Sequence, residues 1–201
     1  MTEPHQTTTP PSHPPGRALR TTDAILAAAR EILAEGGVRG LTVEGVAARS
    51  GVAKTSIYRR FAGKHEIALA ILLEIVPTVG QPRDRGDTRR ELVDYIERTI
   101  RAFRDTAMGA VLKGLVSDLA TDLQLSGAFR VQVIAQRMAA TQAILERGIA
   151  RGEIRPDVNM ELAHELLVSP IFYRMFLSGE PLRTVFATQI VDSVLPGLQP
   201  T

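Results

Sequence analysis

Between residues 54 and 64 the chain carries four basic side chains, Lys54, Arg59, Arg60 and Lys64, and no acidic one. Among them stand the hydroxyls of Thr55, Ser56 and Tyr58. Guanidinium, ammonium and hydroxyl groups are the donors that phosphate oxygens and guanine edges accept from. The chemistry on offer is recognition of a nucleic acid, with no bond-making. No grouping of Ser, His and Asp, no phosphate loop and no pair of catalytic carboxylates stands out, so no enzymatic activity is expected. The chain has no cysteine, which removes disulfides, thiolate zinc sites and a cysteine nucleophile together. Glu161 and His164 stand three apart and so share a helix face, as in half of a di-metal site. The pattern occurs once, so neither a metal nor a cofactor is expected.

Those basic residues need a scaffold, and the local sequence supplies one. A short helix over 54–61 has Ile57 and Phe61 at i and i+4 to anchor it inward. Before it, Ser50-Gly51-Val52-Ala53 is a tight turn whose glycine tolerates positive φ. Thr42 suits the N-cap of a preceding helix that turns Val43, Val46 and Ala47 inward. Further upstream, Thr22 can cap a helix with Ile25, Ala29, Ile32 and Leu33 on one face, ending at Gly36-Gly37. A fourth helix is expected over 64–76.

The order Leu41-Thr42-Val43, Val46-Ala47, Ser50-Gly51-Val52-Ala53-Lys54, Ile57-Tyr58, Phe61 and Lys64 resembles the amino-terminal DNA-binding domain of the TetR family of bacterial repressors. The match spans about residues 22 to 73. The segments 151–157 and 179–182 resemble one carboxy-terminal subclass of such regulators. The resemblance implies a homodimer whose recognition helices enter successive major grooves of a palindromic operator in double-stranded DNA, released by a small-molecule effector. Carried over by position, Thr42, Ser56, Tyr58 and Lys64 hold phosphates, while Lys54, Thr55 and Arg59 face bases, with Arg60 adding a guanidinium. Gly45 departs from the helix former usual there, at a cost of about 1 kcal/mol.

Beyond a Pro- and Gly-containing connector over 77–87, every long segment has a helical period and none alternates like a strand. The expected fold is all-α with about nine helices. An N-terminal three-helix helix-turn-helix domain occupies 21–66, and a C-terminal helical bundle for ligand binding and dimerisation occupies 67–201. Phe103, Met108, Leu112, Met138, Phe172, Tyr173 and Phe176 are the candidates for an effector pocket, with Gln136, Arg137 and His164 as polar contacts. Apolar residues at helical spacing also serve simply as core. The last two long helices offer Leu167, Pro170, Ile171, Arg174, Ile190, Val191, Val194 and Leu195 for a four-helix dimer interface. Pro170 should kink its helix.

Composition constrains the rest. The 201 residues, 44% of them hydrophobic, suffice for one good core or two small ones. Net charge is +2, but residues 1–66 hold nine Lys and Arg against six Asp and Glu, so the positive excess lies at the front. The first fifteen residues contain five prolines and no apolar block, which reads as part of a disordered tail over 1–20 and as no secretory signal. Arg17 and Arg20 either belong to that tail or enter a minor groove. No apolar run approaches the roughly 20 residues that a membrane span needs, so a cytoplasmic protein without membrane contact is expected. Two alternatives remain at this level: an architectural or ligand-independent DNA binder, and a helical ligand-binding protein.

Overall fold

A computed structural model describes residues 15–200, all helix and connecting turn with no strand. Ten α-helical segments follow one another: α1 (Pro15–Gly40), α2 (Val43–Ser50), α3 (Lys54–Tyr58), α4 (Lys64–Ile75), α5 (Thr88–Asp105), α6 (Ala107–Thr121), α7 (Leu123–Phe129), α8 (Ala135–Ala150), α9 (Met160–Tyr173) and α10 (Val185–Val194). A π turn, Arg130–Ile134, fuses α7 to α8, so the described residues form nine rods, the number implied by the periodicity. Among them no helix is long and apolar enough to cross a membrane.

Helix ends follow side-chain capping. Thr42, Asp87, Thr106, Asp122 and Asn159 each accept from a backbone N–H in the first turn of the helix that follows, which satisfies donors left over by the helical ladder. Asp122 sets the start of the long seventh rod at Leu123. The first helix differs more. It begins at Pro15 and runs through Gly36-Gly37 to Gly40. Proline lacks only an N–H that the first turn leaves unpaired anyway, and Arg, Ala and Leu at positions 17–20 are good helix formers. The tail expected over 1–20 is therefore helical at 15–20, and its residues 1–14 lie outside the described ones. The two glycines cost about 1 kcal/mol each in a helix interior. Burial of Ile32 and Leu33 before them and of Leu41 beyond overrides that preference.

One hydrophobic cluster runs from Ile25 to Leu198. On α5, Leu92, Tyr95, Ile96, Thr99 and Ile100 recur at the helical interval and are all buried. This helix lies centrally, touching α6, α8, α9 and α10. Helix α4 packs on α1 on one side and α6 on the other, so the short N-terminal helices share a core with the bundle. Helix α9 continues through Pro170, and the departure from regular geometry comes after it, in a π turn over Arg174–Ser178.

The segment 151–157 is a structural knot. Glu91 of α5 is completely buried, and its carboxylate pairs with Arg147 and Arg151, the latter at 3.1 Å. Glu153 accepts from Thr88 N at 2.8 Å, Gly152 takes a φ of 74°, and Ile154 is buried. A carboxylate removed from water is tolerable only with such partners. The close crossing also requires Gly148, where a Cβ would stand 2.5 Å from Thr88 Oγ1.

Candidate nucleic-acid interface and interior cavity

Helix α3 is held against α2 by a turn in which Gly51 takes a φ of 69° and donates to Ala47 O at 3.1 Å. Any side chain there would meet the left-handed penalty. Ile57 is fully buried and Phe61 partly so, which fixes the rotation of the short helix. That rotation turns Lys54, Thr55, Tyr58 and Arg59, at i, i+1, i+4 and i+5, toward solvent on one side. Tyr58 is 52% exposed, a large apolar ring left without cover.

The remaining predicted contacts fall nearby with differing freedom. Thr42 is exposed, but its Oγ1 already accepts from Gly45 N at 3.0 Å. A Cβ at Gly45 would approach that hydroxyl to 3.1 Å, so the glycine gives the cap room. Ser56 is half-buried, and Arg60 folds back to donate to Ser56 O at 2.9 Å. Arg60 is thereby occupied by its own helix, whereas Arg59 and Lys64 stand exposed. Glu44, which is not among the predicted contacts, places its carboxylate 3.0 Å from Lys54 Nζ across the turn. That hydrogen bond holds Glu44 below the usual carboxylate range. The contact joins residues ten apart on different helices, and no helical spacing announces it.

The bundle interior encloses a cavity of about 70 Å³ walled by α4, α5, α6, the fused α7–α8 rod and α9. Phe103, Met108, Leu112 and Phe172 line it as expected, with Phe103 and Phe172 edge to face at 5.6 Å. Met138, Tyr173 and Phe176 do not. Helix geometry rotates Met138 about 100° from Arg137 and Tyr173 about 100° from Phe172, so only the second member of each pair faces inward. Tyr173 is 58% exposed, and Phe176 stacks on the back of Phe172 at 6.0 Å. Leu72 of α4, Val76 just beyond its end, Thr99, Val133 and Val168 belong to the wall and were not singled out from sequence, since α4 reads as ordinary core.

Polar groups gather at one part of the wall. Arg137 Nη2 donates to Thr99 Oγ1 at 2.5 Å, and the guanidinium lies 4.6 Å over the Tyr95 ring. Tyr95 in turn donates to Arg137 O at 3.2 Å. His164 Nδ1 meets Thr141 Oγ1 at 2.9 Å. Burial, and then the nearby Arg137 charge, push His164 down to about 4, so it is neutral at pH 7. Burial also lowers Arg137 from its ordinary value, but an arginine keeps its proton. Gln136 faces solvent. Among the described residues no cluster of three or more His, Asp and Glu is placed to hold a metal.

The expected dimer residues need correction. Leu167, Ile171, Ile190, Val191 and Leu195 are buried in the protomer's own core. Arg174 stacks over Phe186 at 3.4 Å and donates to Pro181 O at 3.1 Å, while Pro170 and Val194 are half-buried. Both faces of α9 are apolar, and periodicity does not say which one turns inward. The outward face carries Leu162, Leu166, Tyr173 and Leu177, the last 76% exposed, beside Val185 of α10.

Residues 25–71 match the family described as bacterial regulatory proteins, tetR family, and residues 82–194 match the tetracyclin repressor-like C-terminal domain. The chain is 30% identical over 176 residues to the DNA-binding transcriptional repressor TetR of Mycobacteroides abscessus, covering 86% of this chain and 90% of that one. It is 28% identical over 181 residues to the HTH-type transcriptional regulator YdeS of Bacillus subtilis, covering 90% and 91%. Among solved structures it superposes on the TetR family transcription regulator SCO0332 with a TM-score of 0.73 and 30% identity, covering 90% of this chain and all of the other.

Proposed function

The chain belongs to the TetR family of bacterial transcription regulators and binds DNA; from that premise we propose that it is a cytoplasmic repressor, gripping a palindromic operator as a homodimer and released by a small molecule. The observation that carries the reading is the outward set Lys54, Thr55, Tyr58 and Arg59, held in place by buried Ile57 and the Gly51 turn. Recognition helices enter major grooves with such exposed donors toward the base edges. Lys54, Thr55 and Arg59 read bases, while Thr42, Ser56, Tyr58 and Lys64 hold phosphates, and Arg60 gives up its helix carbonyl to join them. The DNA-reading unit is 21–66 and the regulatory unit is 67–201.

The second copy docks on the outward apolar face of α9 and α10, where Leu162, Leu166, Tyr173, Leu177 and Val185 stand uncovered. Two such faces related by a twofold axis form a four-helix interface. The effector occupies the interior cavity, and α4 transmits its presence because Leu72, with Val76 just past the helix end, lines that cavity while Lys64 begins the helix. A shift of α4 changes the spacing of the two α3 helices and the fit to both half-sites.

Selection of binding sites from random duplexes, followed by footprinting, tests this reading. A palindrome whose half-sites lie one helical turn apart, bound with steep salt dependence, is the expected result. A chain that selects no sequence is an architectural binder. A monomer by sedimentation at micromolar concentration overturns the dimer.

A further inference from the structure

We propose that the interior cavity takes an apolar monocarboxylate, a hydrocarbon acid whose carboxylate pairs with Arg137 while its chain lies among Phe103, Met108, Leu112 and Phe172. The inference rests on the effector-site reading above and names the effector's chemical class.

The other arginines turned into this bundle have acids. Arg147 and Arg151 enclose Glu91, and Arg98 lies 3.2 Å from Asp94. Arg137 is the exception. Among the described residues no carboxylate pairs with it, and its side-chain contacts are one hydrogen bond to Thr99 and the face of Tyr95. A guanidinium has five N–H donors, and neither contact carries negative charge. Arg137 is half-buried without an anion, and a bound carboxylate offsets its lost hydration with two parallel hydrogen bonds.

The rest of the wall sets the remaining chemistry. His164 is neutral and no acidic residue lines the cavity, so its lining holds a single positive charge. A dianion would leave one charge unmatched in apolar surroundings, which favours a monoanion. The cavity, about 70 Å³, is smaller than the roughly 300 Å³ of common ligand sites, so a hydrocarbon chain enters by displacing wall residues. Leu72 of α4 and Val76 just after it are among these.

Isothermal titration of the full chain with sodium hexanoate, octanoate and decanoate, and with 1-octanol as the uncharged control, decides the matter. We expect octanoate to bind about tenfold or more tightly than octanol, and Arg137→Gln to abolish that preference while Arg137→Lys keeps part of it. Thermal melts of both variants confirm folding. If Arg137→Gln does not fold, the acid-to-alcohol ratio of the native chain and of Arg137→Lys still decides. Failure of every acid to bind, no preference for acid over alcohol, or undiminished acid binding by folded Arg137→Gln overturns the inference. An acid bound through Arg137 that leaves the selected operator occupied keeps this inference and removes effector release. Operator release by octanol, with no acid bound, does the opposite.

Discussion

His65 Nε2 stands 3.0 Å from Asp118 Oδ2, joining the first turn of α4 to α6. His65 is next to the exposed Lys64, and α6 also carries the cavity residues Met108 and Leu112. The contact is a second tie, besides Leu72 and Val76, between the regulatory interior and the DNA-reading end. Both side chains are about one-third exposed and His65 Nε2 makes no hydrogen bond, so the pair contributes little to stability. Asp118→Asn should leave ligand-free operator affinity within about fivefold of the native chain, while more effector is needed for half-release. Anisotropy titrations with and without effector measure both.

Glu44 and Lys54 form a charged contact beside α3, and in the proposed complex DNA competes for this lysine. Replacing Glu44 by Gln frees the ammonium and removes a negative charge near the phosphates. Operator affinity should rise by a few-fold, with a salt slope steeper by about one ion, because an ammonium at a base edge also displaces counterions once Glu44 no longer neutralises it. Binding isotherms across salt concentrations check this, and unchanged affinity and slope would remove Lys54 from the contact surface.

Tyr58 and Arg59 are exposed and carry little of the fold. Arg59→Ala should cost about 1–3 kcal/mol of operator binding and relax the preference at one base position. Tyr58→Phe, lacking a phosphate donor, should cost about 0.5–1.5 kcal/mol for every sequence alike. Melting temperatures should match the native chain in both variants.

Gly148 is a packing site with no part in DNA contact. A Cβ there meets Thr88 Oγ1 at 2.5 Å and Ile154 Cγ1 at 2.6 Å, and both neighbours lie in the Glu91 knot. Gly148→Ala should destabilise the chain by about 1–3 kcal/mol despite its better helix propensity. Urea denaturation measures the loss, and a gain in stability would contradict the packing described.

His164 makes stability depend on pH. Its folded pKa of about 4 lies below the ordinary 6.5. Between these values the unfolded chain binds a proton that the folded chain refuses, so stability falls as pH drops from 6.5 towards 4 and this contribution levels off below. His164→Gln should lose less stability than the native chain between pH 7 and pH 4.5. Comparing urea midpoints at the two pH values isolates the effect from the carboxylates common to both proteins.

Reading the chain by itself went furthest where the determinants are local. The Gly51 turn, the Ile57 and Phe61 anchors and the outward Lys54, Thr55, Tyr58 and Arg59 all lie within one short segment, where helical spacing alone sets the facing. The nine-rod, all-helical architecture follows from the same periodicity. Arg60 was less legible, because its return to the Ser56 carbonyl is a choice among rotamers.

What only the tertiary structure decided depends on helices meeting across long separations. Leu167 and Ile171 share α9 with Leu162, Leu166 and Tyr173, and apolar spacing identifies both faces without saying which meets the core. Arg137 and Thr99 come together, 38 residues apart, where α8 crosses α5. The sequence offers Gln136, Arg137 and His164 alike as polar contacts without choosing among them: hydrophobic burial decides how each rod rotates, and that rotation carries Arg137 and His164 inward and leaves Gln136 outside.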